Sequence, residues 1–154
     1  MDNIEKKYQI LYKKYKDLKN KFDDLNSDYK SVVNSENRLM NLFEFAPEAY
    51  YLNDLKGNFI DGNQAAADLL GYKKEELIGK NFLQIKLLRK DQFVKAAANL
   101  SKNVLGKPTG PDEFVLLNKN GQEVFVEIST KPIKLNGKRI VMGAARDISK
   151  RKIA

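Results

Sequence analysis

The sequence predicts an α+β chain in which a long N-terminal helix precedes a five-stranded antiparallel sheet with its helices on one face. Three observations predict it. A heptad pattern runs without Pro or Gly from Ile4 to Phe43. After Ala46, turn-punctuated segments come in the order two strands, several helices, three strands. The 154 residues, 42% hydrophobic and 31% charged, suit one folded domain with an accessory segment or at most two very small domains, and no run of about 18 apolar residues is present.

The helix comes first. Ile4, Leu11, Leu18, Leu25, Val32 and Leu39 repeat every seven residues, and Tyr8, Tyr15, Phe22, Tyr29, Glu36 and Phe43 repeat beside them. The alternating gaps of four and three put aliphatics at d and aromatics at a, with Glu36 the one polar member. Such a repeat reads as a coiled coil, with a dimer seam of Ile4, Tyr8, Leu11, Tyr15, Leu18, Phe22, Leu25, Tyr29, Val32 and Leu39. Edge charges do not help pairing, since Lys14 would face Lys19 in a parallel dimer. An amphipathic helix laid on a sheet is the competing reading.

The second part begins with a hairpin, Ala49 to Asp54 and then Phe59-Ile60, around the turn chemistry of Asn53 to Asn58. Asn63 caps a helix over 64–70, which Gly71 ends. A short helical turn covers Lys73 to Ile78, and a longer helix covers roughly Lys90 to Val104. Gly106, Pro108, Gly110 and Pro111 stop it. Three strands follow: Glu113 to Asn118, a strand around Val124 to Ser129, and Ile140 to Ile148, joined by turns at Asn120-Gly121 and Asn136-Gly137. Residues 114–117 and 140–145 are apolar without alternation, so both faces of the late sheet should be covered, the second by the N-terminal helix or another subunit.

Composition removes whole classes of function. Cysteine and histidine are both absent. There are no disulfides, thiolate metal sites, cysteine nucleophiles or histidine bases, so no metal site and no catalytic constellation is expected. The chain reads as a non-enzyme. The net charge of +8 raises the question of nucleic acid, but the lysines are dispersed, and a solvated surface with no nucleic-acid partner is the simpler reading. Without a secretory apolar segment, a cytoplasmic location is expected.

The stretch from Asp54 through Gly57, Asn63, Gly71 and Tyr72, with Glu75 to Lys80 after it, resembles the first half of a PAS domain. Asn120-Gly121, Val124 to Pro132 and the closing Arg146-Asp147-Ile148-Ser149 resemble the second half, with Ser149 where the family's junction has threonine. The resemblance divides the chain into a coiled-coil or signalling helix at 1–44, a PAS domain at 45–149 and the start of an effector-linking segment at 150–154. It implies the PAS fold with a small internal cavity, and a sensor function as the input domain of a larger signalling protein such as a sensor histidine kinase. A homodimer, an effector domain and a small apolar or aromatic ligand are the implied partners.

By resemblance, the pocket would be lined by Leu52, Phe59, Leu70, Phe82, Phe93, Ala97, Phe114, Leu116, Val126, Ile128, Met142 and Ala144, with Leu83 and Leu100 nearby. Tyr50, Tyr51, Asn63 and Ser129 are the polar groups able to orient a ligand. Asp147, Ile148 and Ser149 would form the signal exit, with an Arg146 or lysine contact to Asp147 as its switch. Gly79-Lys80-Asn81 leads to Phe82-Leu83-Gln84 with no cysteine, which excludes a cysteinyl-flavin photocycle; the absence of histidine argues against haem. The cofactor is otherwise unknown. The alternative is a purely structural dimerisation or docking module whose interior is filled by side chains.

Overall fold

The computed structural model describes residues 2–153, so Ala154, the last residue of the expected linking segment, lies outside the described residues. The chain divides into two compact units, meeting between Asn41 and Leu42.

Helix α1 covers Asn3–Glu44, 42 residues, about 63 Å at 1.5 Å per residue. None of its residues is buried. The seam is bare: Leu18, Leu25 and Leu39 are 68%, 69% and 65% exposed. No described helix is long and apolar enough to cross a membrane.

The second unit is built on a sheet of order β2-β1-β5-β4-β3, in which every neighbouring pair is antiparallel. The strands are β1 Ala49–Asn53, β2 Phe59–Gly62, β3 Thr109–Leu117, β4 Glu123–Leu135 and β5 Lys138–Asp147. Between β2 and β3 lie α2 Gln64–Leu70, α3 Lys74–Leu77, a 3₁₀ turn Lys90–Gln92 and α4 Phe93–Val104. Helix α5, Ser149–Ile153, follows β5. The hairpin between β4 and β5 turns at Asn136 (φ 50°) and Gly137 (φ 77°), both left-handed, as a two-residue turn matched to strand twist requires.

Two strands run beyond their expected limits, and edge geometry explains both. Strand β3 begins at Thr109, so Gly110 and Pro111 belong to it; it is an edge strand, where proline removes no needed ladder bond. Its register shifts between Thr109 and Asp112, where the Gly110-Pro111 peptide is cis. Strand β4 continues through Pro132 to Leu135. Its pairing with β3 ends at Thr130, so from there β5 alone borders it and proline is again tolerated.

The core lies between one sheet face and helices α2 to α4. Leu70, Leu87, Leu88, Ala96, Phe114, Leu116 and Val126 are its buried centre. Leu87 and Leu88 come from a connection flanked by Lys86 and Arg89, and the sequence reading did not include them. Leu88 bridges to Leu116, and the Leu117 N–H donates to the Leu87 carbonyl at 2.7 Å, tying the segment to the free edge of β3.

Candidate functional site

A cavity of about 110 Å³ lies in the second unit between the sheet and the helices. Strand parity decides which side chains reach it. Neighbours across β1 and β5 share a face, and Tyr51 pairs with Gly143, Leu52 with Met142 and Tyr50 with Ala144. Ala49, Tyr51 and Asn53 of β1 and Ala145 of β5 line the cavity. Leu52, Met142 and Ala144 therefore sit on the opposite face and are half-buried. Tyr50 and Ser129, which pair with or beside Ala144, share that outer face.

Of the other residues expected around a pocket, Phe59, Leu70, Phe82, Leu100, Phe114, Leu116 and Ile128 line this cavity. Val126 is fully buried in the core instead. On α4 the cavity is lined by Ala96, Asn99, Leu100 and Asn103, while Ala97 and Phe93 are exposed. Successive helical residues are turned by about 100°, so a one-residue difference changes the face. Leu83 packs at the margin of the core.

The position of Tyr51 depends on Gly143. A Cβ at Gly143 would lie 2.1 Å from Tyr51 Cζ, so the ring occupies the place of a side chain on β5. The ring meets Phe59 edge-on, with centroids 5.9 Å apart and planes at 83°, and Phe59 lies 6.2 Å from Phe82. Burial pushes the Tyr51 phenol above its usual range, so it stays protonated.

The remaining polar liners are held by protein partners. Asn63, fully buried, accepts from the Ala66 and Tyr50 amides, each at 3.0 Å, and donates to the Glu48 carbonyl at 2.8 Å. One side chain thus caps α2 and clamps it to β1. Asn103 donates to Thr130 Oγ1 at 2.9 Å and to the Lys107 carbonyl at 2.9 Å, and Thr109 meets Thr130 at 2.5 Å. Asn99 donates to Asp112 at 3.0 Å, and Asn53 to the Asp54 carbonyl at 2.8 Å. Lys74 pairs with Glu44 at 2.7 Å and Asp61 at 3.4 Å. Burial disfavours the lysine charge, but these carboxylates outweigh it and raise its pKa.

The segment following β5 is also tightly held. Ile148 is buried, and its N–H donates to the Phe125 carbonyl at 2.9 Å. Asp147 accepts from the Ser149 amide at 2.8 Å, so it caps the start of α5, while Arg146 approaches Glu48 at 3.9 Å. Among the described residues, no ion pair joins Asp147 to Arg146 or to a lysine. Helix α5 then lies against β3 and β4 through Lys152–Glu113 at 2.5 Å and Arg151–Glu127 at 3.1 Å.

Residues 47–150 match the family described as PAS domain. The Methyl sulfide methyltransferase-associated sensor of Methanosarcina acetivorans is 28% identical over 121 residues, which are 78% of this chain and 12% of that protein. Among solved structures, the PAS domain of an HTR-like protein from Haloarcula marismortui aligns with a TM-score of 0.68 at 24% identity, over 80% of this chain and 99% of that one. A domain of a sensory box sensor histidine kinase/response regulator from Geobacter sulfurreducens aligns with a TM-score of 0.61 at 29% identity, over 73% of this chain and 94% of that one.

Proposed function

The chain belongs to the PAS domain family over residues 47–150, and from that premise we propose that it is the cytoplasmic, non-catalytic signal-input module of a larger protein, working as a homodimer joined through α1. The observation that carries the dimer is the bare heptad stripe of α1. Seam residues more than half exposed along most of a 42-residue helix have no stable place in water unless another apolar surface covers them. A second copy of the same stripe satisfies the repeat, because a heptad spacing keeps one seam facing its partner.

The input is a small molecule held in the cavity, and the output leaves at Asp147, Ile148 and Ser149. Ala145 lines the cavity and Asp147 lies two residues further along β5, so displacement of this strand bears directly on the cap of α5. A histidine kinase is a fitting effector, since the similar Geobacter domain comes from a sensor histidine kinase/response regulator. A second reading has its own support: 110 Å³ is small beside the roughly 300–1,000 Å³ of drug-sized ligand sites, which favours a docking module with no ligand.

Sedimentation equilibrium over a wide concentration range tests the dimer. We expect a dimer for the chain and a monomer for the double variant Leu18→Asp, Leu25→Asp, with the near-UV spectrum of the second unit unchanged. A monomer at every concentration, or a dimer that survives both substitutions, overturns pairing through α1.

A further inference from the structure

The cavity contains one polar group of a different kind from the rest. Its other polar liners, Asn53, Asp61, Asn63, Lys74, Asn99, Asn103 and Thr130, each hydrogen-bond or ion-pair with the protein. Among the described residues, the Tyr51 hydroxyl is the one lining side-chain group with no such partner, and its oxygen is not sealed from open space. The hydroxyl can therefore be reached from the cavity, where it has a hydrogen bond to offer a bound molecule. The walls beside it, Phe59, Phe82, Leu70 and Ile128, have no hydrogen bond to offer.

We infer that Tyr51 is the polar anchor of a ligand site for a small, uncharged, mostly apolar molecule of about four or five heavy atoms carrying one hydrogen-bond acceptor. The size follows from the volume. A cavity near 150 Å³ accommodates benzene, and this one is about 110 Å³. Neutrality follows from the lining, where the lysine Lys74 is already paired with Glu44 and Asp61. The acceptor follows from the phenol, which burial keeps protonated and thus a donor. Gly143 is the positioning residue, because any side chain there would displace the ring. This inference rests on the reading of the cavity as a ligand site.

The test is a titration of the full chain with three probes of five heavy atoms, followed by amide chemical shifts. The probes are butan-2-one, its all-carbon isostere 2-methylbut-1-ene, and propanoate. Tyr51→Phe is the informative variant, because the hydroxyl it removes has no partner among the described residues and the ring packing is kept. We expect butan-2-one to bind most tightly, propanoate not to bind, and Tyr51→Phe to weaken butan-2-one about three- to tenfold, the fold-change of one neutral hydrogen bond, while leaving 2-methylbut-1-ene unchanged. If both neutral probes bind alike and ignore Tyr51→Phe, the anchor is wrong but the cavity still takes ligands. If neither shifts any cavity amide, the ligand-site reading itself is overturned.

Discussion

Replacing Gly143 with alanine should destabilise the second unit through a single contact, the Tyr51 ring. The new Cβ would lie 2.1 Å from Cζ, 2.4 Å from the hydroxyl oxygen and 2.5 Å from Cε1. Ordinary carbon contacts lie at about 3.5–4.0 Å, so the ring must move by about 1.5 Å. It has little room to do so, because Phe59 meets it edge-on at 5.9 Å. Overpacking of this kind costs about 1–3 kcal/mol, part of it the lost aromatic pair. With a urea m-value of about 2 kcal/mol/M, a cost of 2 kcal/mol lowers the midpoint by about 1 M. Urea unfolding followed by near-UV circular dichroism reads it. The same substitution in a Tyr51→Leu background should cost less than about 0.5 kcal/mol, because leucine lacks all three clashing atoms. An equal loss in both backgrounds, or none in the parent, refutes the reasoning.

Two further outcomes follow from the geometry. Asn63→Ala removes the cap of α2, worth about 1 kcal/mol, and leaves the Tyr50 amide and Glu48 carbonyl unpaired; a total loss of about 2–4 kcal/mol is expected in urea unfolding, and Asn63→Asp, which keeps both acceptances, should lose less. The second outcome concerns pH: the hydrogen bond from Lys152 holds the Glu113 carboxyl below its usual range, against some desolvation. A depressed carboxylate pKa means that the contact is complete above the ordinary glutamate pKa and is lost as pH falls through the lowered value. Amide-exchange protection at 150–153 should therefore hold from pH 7 to 5 and fall at more acidic pH, and Glu113→Gln should weaken it already at pH 7. Protection that does not respond to either change would remove Glu113 from the docking of α5.

Much of the fold was legible because its signals are local. Asn63 and Gly71 bracket α2 as a cap and a stop, and Asn136-Gly137 forms the hairpin turn that its chemistry demands. Long-range features left no such mark. Asn103 and Thr130 meet across 27 positions, and nothing in either neighbourhood announces the other. Leu87 and Leu88 sit in an irregular connection, where no period exists to mark them as core. The extra length of β3 and β4 was hidden by prolines, whose tolerance depends on which strand lies alongside.

The sequence by itself determined the order of elements, the heptad stripe of α1 and the loss of all cysteine and histidine chemistry. Each of these is written in spacing or composition. Only the tertiary structure decided which member of each apolar pair faces the cavity: Tyr51 and not Leu52, Ala145 and not Ala144, Ala96 and not Ala97. A run without alternation carries no parity, and a slip of one residue along a strand exchanges its faces. The partner strand and the overlying helices therefore select the face, and here that selection places the Tyr51 hydroxyl in the cavity with no hydrogen-bond partner among the described residues.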